Sequence, residues 1–321
     1  MEKQKALLAL SETIASLERQ RKSRIFCLIH APDSRPGKNQ PHICMGEYWS
    51  LLENRELFRN IDTLEVLVQS PGGHANFAYE MSTFFKGHCK RLHYLVPLHA
   101  KSAATIMCLN ADKIIQGEWG QLGPLDVQMD DVVEYGARTF SPLNEFKAME
   151  FLRDYATEFL DYFSFLLVQR GFSVKQALHE AIPGVTGIMA PLYSHVDPSK
   201  LGSYRRLLAE GEEYAVRLLQ SAKNGSAKKI AERLVWKYPS HGFVINRTEA
   251  RGMGLPVFDM ETQHDRTLTK LMLNMMESEV TYVGFITPKE RRKRKTQPKA
   301  GSAQLVPPAA KRPVAITKRA V

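Results

Sequence analysis

The chain has 321 residues, 44% of them hydrophobic, enough to bury one large core with satellite elements, which excludes a disordered or low-complexity protein. Its formal charge is +10, but the basic excess is concentrated between Lys289 and Arg319 rather than on a periodic face, and the rest of the chain is close to balanced. Four cysteines (Cys27, Cys44, Cys89, Cys108) lack C-x-x-C spacing, the start is charged and polar, and no window approaches the roughly 18 continuous apolar residues of a spanning helix. The expectation is a soluble, cytoplasmic protein with reduced thiols, no secretory start and no transmembrane segment.

Residues 1–22 carry Leu7, Leu8, Leu10, Ile14 and Leu17 at helical spacing and read as an amphipathic helix. Residues 23–29 read as a short buried strand, and 32–42 as a polar loop rich in Pro, Gly and Asn. A helix around 46–58 then leads to a strand at 63–69, the turn Ser70-Pro71-Gly72-Gly73, a helix at 75–86, a strand at 91–97, a helix at 102–110 and a strand at 113–116. Strands that read as continuous apolar runs, each followed by an amphipathic helix, predict right-handed crossovers and a largely parallel sheet, so the fold class is α/β. From 144 to 170 one long helix is apolar on more than one face, which predicts a helical arm that also makes an oligomer contact. Helices at 203–219 and 227–236 complete that arm, about 144–236. A helix at 246–253, a strand at 255–258 and a helix around 268–276 follow. Beyond Pro288 the composition turns to Lys, Arg, Pro, Ala, Gln and Ser, and 288–321 is expected to be a disordered basic tail.

The most informative residues are Ser102 and the Gly-Gly turn. Ser102 opens the apolar run Ala103-Ala104-Thr105-Ile106-Met107, about one strand and one helix after Ser70-Pro71-Gly72-Gly73. A hydroxyl at a helix start, facing such a turn, has the backbone N–H groups that an acyl-transfer nucleophile needs around a developing oxyanion. The plainer readings are a helix N-cap for Ser102 and a tight turn of positive φ for the glycines.

The set Val68-Gln69-Ser70-Pro71-Gly72-Gly73, Ala100-Lys101-Ser102-Ala103-Ala104-Thr105, Leu122-Gly123-Pro124-Leu125-Asp126-Val127-Gln128 and His241-Gly242-Phe243 with Glu249-Ala250 and Gly254-Leu255 resembles the serine dehydrogenase proteinase family. That family is a distant relative of the Clp protease subunit and of signal-peptide peptidase A. The resemblance covers roughly residues 23–285. It implies a Clp/crotonase-like core of stacked β-β-α units over 23–287, between an N-terminal helix (1–22) and the tail (288–321). It also implies a serine endopeptidase with a Ser, Asp, His triad in that order: Ser102 as nucleophile, Asp126 and His241, with Gly72, Gly73 and Ala103 around the oxyanion. The chain departs from its Clp relatives in carrying a carboxylate near 126 and the imidazole near 241. A carboxylate with a pKa near 4 is a poor base for a serine, so His241 takes that role, and triad geometry permits the exchange.

Alternative bases are His99, three residues before Ser102, and Lys147, which a Ser-Lys dyad like that of signal-peptide peptidase relatives would use. Lys101 is expected to point away from the Ser102 hydroxyl, and His74 and His195 are weaker candidates. No histidine pair has metal-ligand spacing, so neither a metal nor a cofactor is expected. Polypeptide substrate is expected to lie extended along the Gly72-Gly73 edge, and the enzyme to form a homo-oligomer. Two rivals stand beside this reading. One is a non-catalytic Clp-like scaffold, or a nucleic-acid-associated assembly protein contacting phosphates or another acidic surface through Lys289, Arg291, Arg292, Lys293, Arg294 and Lys295. The other is acyl-CoA chemistry of the crotonase type, which needs no serine at 102.

Overall fold

In the computed structural model, residues 2–34, 40–127, 129–133 and 136–286 are described, those of 129–140 by their backbone alone. The chain runs α1 (Glu2–Arg21), β1 (Arg24–Ile29), α2 (Met45–Glu53) with a 3-10 turn at Arg55–Phe58, β2 (Ile61–Gln69), α3 (Ala75–Gly87), β3 (Cys89–Val96), β4 (His99–Ala100) and α4 (Ala103–Cys108). It continues through β5 (Lys113–Gln116), β6 (Gln121–Leu122), β7 (Met129–Val133), β8 (Gly136–Phe140), α5 (Leu143–Gln169), α6 (Val174–Tyr193) and α7 (Pro198–Ser221). The last elements are α8 (Ala227–Trp236), α9 (Arg247–Gly252), β9 (Val257–Asp259), α10 (Thr262–Glu277) and β10 (Tyr282–Phe285). The principal sheet has the order β10-β1-β2-β3-β5-β9, parallel except for β10, which closes one edge antiparallel to β1. The α/β class and the Clp-like architecture read from the sequence are the ones observed.

Alternation along the strands explains why both sheet faces are covered. Phe26 and Leu28 of β1, Leu64, Val66 and Val68 of β2, and Leu92, Tyr94 and Val96 of β3 enter one core, together with residues of α3, α4, α7 and α8. Ile25, Cys27 and Ile29, with Leu67, Leu95 and Ile115, point the other way and meet α1 and α10. Strands buried on both faces must read as unbroken apolar runs, as these do. In α1 the buried stripe is Ala6, Leu10, Ile14 and Leu17; Leu7 and Leu8, read as part of the apolar face, are exposed because they lie beside that stripe.

One buried ion pair fastens α1 to the sheet. Arg21 donates from Nε to Glu65 Oε2 at 2.8 Å and from Nη2 to Oε1 at 2.7 Å, and the Ser23 hydroxyl donates to Oε2 at 2.8 Å. Burial pushes the Glu65 carboxyl up, but hydrogen bonds from His93, Arg21 and Ser23 and the Arg21 charge outweigh it and hold the group down at about 2.

The sequence reading assigned no element to 171–202, where α6 runs. Pro183 and Pro191 lie inside this helix. It starts from a capping box, Ser173 with Gln176, and closes on α5 where Gly184 packs beside Phe163: a Cβ built on Gly184 would lie 3.5 Å from that ring. On α5, Phe151, Tyr155, Phe159 and Phe163 stack at successive i, i+4 positions. Both helices leave large apolar side chains exposed, among them Phe151, Tyr162, Phe165, Val174 and Ile182. Among the described residues no helix is long and apolar enough to cross a membrane, and the four cysteines form no disulfide. The tail read as disordered, 288–321, lies outside the described residues.

Candidate active site

The Gly-Gly turn is built where β2 ends. Ser70 N–H donates to His99 O at 2.9 Å and Lys101 N–H donates to Ser70 O at 3.0 Å, which draws the end of β2 alongside the segment leading into Ser102. Gly72 (φ +113) and Gly73 (φ +142) follow, both in the region that favours glycine. A Cβ on Gly72 would sit 2.8 Å from both Ser102 Cβ and Lys101 O, and one on Gly73 would collide with the Ile43 carbonyl oxygen. Ile43 N–H donates to Gly72 O at 2.8 Å, and His74 N–H donates to Ile43 O at 3.0 Å. In such a parallel bridge the intervening Gly73 N–H faces away from Ile43.

Ser102 stands at φ +49, ψ −121, a strained conformation for a residue with a side chain, costing on the order of 1–3 kcal/mol. It is half-buried, and its side chain makes no cap hydrogen bond to α4. The N-cap reading therefore does not account for it. The Gly73 and Ala103 amides donate to no other described residue. The Gly72 amide is already engaged, donating to Ser70 Oγ at 3.1 Å. That corrects the sequence reading of Gly72 as an oxyanion donor: it serves close approach, and the open amides are Gly73 and Ala103.

Asp126 and His241 come together through backbone pairing. Leu122 and Ile245 form an antiparallel bridge, with N–H to carbonyl distances of 3.0 and 3.1 Å. Asp126 lies four residues after Leu122 and His241 four before Ile245. His241 Nδ1 lies 3.0 Å from Asp126 Oδ1 and 3.0 Å from Asp126 O. Both partners are acceptors, so the ring proton belongs on Nδ1, which leaves the Nε2 lone pair free. Asp126 is buried while His241 keeps part of its ring in solvent. The loop bearing Asp126 is tied to the Ser102 helix: Thr105 Oγ1 accepts Gly123 N–H at 2.9 Å and donates to Ala100 O at 2.6 Å. No hydrogen bond joins Ser102 Oγ to His241.

Lys101 does point away from the serine. Its Nζ donates to Leu122 O at 3.2 Å and Phe243 O at 3.3 Å, bracing the segments that carry Asp126 and His241, and burial lowers its pKa. His99 faces Gln69, with Nδ1 3.3 Å from Nε2, and burial, then the nearby Lys101 charge, lowers its pKa. Lys147 is exposed on α5 and paired with Glu150 at 2.9 Å, so it is committed elsewhere as a base. His74 meets the His42 ring at a tilt and the Phe77 ring edge-on, and His195 lies exposed in the connection between α6 and α7. The flank of Gly72-Gly73 toward Ile43 is occupied by the chain itself.

Sequence reasoning passed over His30 and Glu47 and read Ser70 only as the start of the Gly-Gly turn; the three form a hydrogen-bonded set at the same end of the sheet. The available signal was a polar residue directly after an apolar parallel strand, since the carboxyl ends of such strands are where α/β proteins gather their sites.

Residues 1–141, which contain the turn, Ser102 and Asp126, match the family described as ClpP-like SDH-type serine proteinase; His241 lies beyond the matched part. Two uncharacterized proteins of Methanocaldococcus jannaschii are similar. One is 27% identical over 128 residues, 38% of this chain and 44% of the relative. The other is 25% identical over 122 residues, 36% of this chain and 41% of the relative. The chain thus spans less than half the length of the curated relatives it matches. The similarity to the ClpP-like SDH-type serine proteinases lies in residues 1–141, where it agrees with the motifs and with the architecture around them.

Proposed function

We propose that the protein is a cytoplasmic serine peptidase in which Ser102 Oγ attacks a peptide carbonyl. His241 Nε2 takes the serine proton as the bond to the carbonyl carbon forms, and returns it to the departing amine as the peptide bond breaks. Water then repeats the sequence on the acyl-enzyme, and Ser102 regains its proton. Asp126 holds the imidazole in the Nδ1–H tautomer and stabilises its charged form. The amides of Gly73 and Ala103 receive the oxyanion.

The observation that carries the reading is the strained, uncapped Ser102 closed against Gly72. A scaffold has no use for a serine held at that cost, and crotonase-type chemistry has no use for its hydroxyl. Support for His241 as base comes from its Asp126 contact and open Nε2, whereas Lys147 is paired outward. Substrate is a polypeptide strand on the flank of the turn opposite Ile43. The apolar faces left open on α5 and α6 support assembly into a homo-oligomer, with 23–287 as the catalytic domain.

A fluorophosphonate–rhodamine probe tests the reading. Covalent labelling at Ser102 of the folded protein, abolished in Ser102→Ala, is the expected result; a folded wild-type chain that takes no label overturns it.

A further inference from the structure

The carboxyl ends of β1 and β2 hold a polar chain that the proposed mechanism does not use. His30 directly follows β1 and is 2% exposed; Ser70 directly follows β2 and has no exposed surface. His30 Nδ1 lies 2.8 Å from Ser70 Oγ, and Nε2 lies 2.6 Å from Glu47 Oε1 in the first turn of α2. Glu47 can only accept, so with one ring proton on Nε2, His30 Nδ1 accepts the Ser70 hydroxyl and Ser70 Oγ accepts Gly72 N–H at 3.1 Å. The sequence Ser, His, carboxylate is that of a nucleophilic triad, but burial removes that use: no carbonyl carbon can reach Ser70.

What the chain does reach is the oxyanion turn. Glycine has the widest conformational freedom of any residue, and two in succession at positive φ keep their orientation only if their peptide groups are held. The peptide before Gly72 is held by its N–H on Ser70 Oγ. The peptide after it is held by Gly72 O accepting from Ile43 N–H, and because a trans peptide is planar, Gly73 N–H then points the opposite way. Two consecutive peptide planes are therefore pinned, one by a buried side-chain relay and one by backbone.

We propose that Glu47, His30 and Ser70 form a positioning relay that holds the Gly72-Gly73 turn in its oxyanion-binding orientation. The inference rests on the peptidase reading above and assigns these residues no contact with substrate. Removing Ser70 Oγ frees the Gly72 amide to rotate and loosens the donor that matters in the transition state, while ground-state binding is unchanged.

Labelling kinetics with the fluorophosphonate probe test this, because kinact reports the chemical step and KI the encounter. Ser70→Ala is expected to lower kinact about tenfold with KI within twofold, and Glu47→Gln to lower it about threefold. The double variant is expected to match Ser70→Ala alone, because Glu47 acts only through Ser70. Equal kinact in wild type and Ser70→Ala, or fully additive losses in the double variant, overturns the relay while leaving the peptidase reading intact. Wild type that takes no label defeats the peptidase reading itself. If Ser70→Ala melts early by circular dichroism, Glu47→Gln at the outer end of the relay decides alone: an unchanged kinact overturns the proposal, and a threefold loss at unchanged KI supports it.

Discussion

Histidine meets carboxylate in two regions of this molecule, and burial separates them. Along the sheet, His30 faces Glu47 and His93 faces Glu65, with both imidazoles enclosed and their polar atoms committed to strand ends or to an ion pair. At the loop after β6, His241 faces Asp126 with the carboxylate buried and the ring partly in solvent, one nitrogen committed and the other open. The same pair of residue types is a fastening in the first region and, under the proposed function, a base with its orienting partner in the second. Access to the second ring nitrogen makes the difference.

The contrast can be broken most directly at the candidate active site. Ser102→Ala should reduce hydrolysis of a labelled casein by about 10³-fold or more, with an unchanged melting curve, as measured by product fluorescence. Asp126→Asn follows: it keeps the side-chain volume but frees the His241 tautomer, and should lower kcat by about 10³-fold with a smaller change in KM. A loss under tenfold would assign Asp126 to packing.

At the sheet the expected loss is of stability. The Glu65 carboxyl sits at about 2 when folded against an ordinary 4.5, so its contribution is full above 4.5 and is lost as pH falls through that range toward 2. Glu65→Gln should destabilise the protein by about 3 kcal/mol at pH 7 in urea unfolding, leaving Arg21 without its ionic partner, and should flatten the loss of stability between pH 5 and pH 2. An unchanged acid limb would remove Glu65 from the account. The smallest effect belongs to Lys147→Ala, which should leave Ser102 labelling within twofold of wild type because its amine pairs with Glu150 on an exposed helix face.

The parallel strands were legible because burial on both faces leaves a continuous apolar run, as in Leu64–Val68 or Leu92–Val96. Ser102 with Gly72 and Gly73 was legible because their spacing carries a strand, a turn and a helix start together. The Gly72 amide is bound to Ser70, a contact that no sequence pattern carries. The approach of Asp126 to His241 depends on the Leu122–Ile245 bridge, a pairing of distant segments that composition does not announce. Pro183 and Pro191 masked α6, whose helical form rests on packing against α5. His30 and Glu47 lay hidden because each looks like an ordinary residue beside a strand or at a helix start, and only the neighbouring ends of β1 and β2 bring them to Ser70.

The bridge between Ile43 and Gly73 has a consequence for what such an enzyme could digest. Under the proposed function, with one side of the turn filled by the chain's own backbone, an incoming polypeptide would have to offer a bare main chain to the other side. Hairpins and sheets, whose amides are already matched on both edges, would be poor guests there. Selectivity would then come from the foldedness of the client rather than from its side chains.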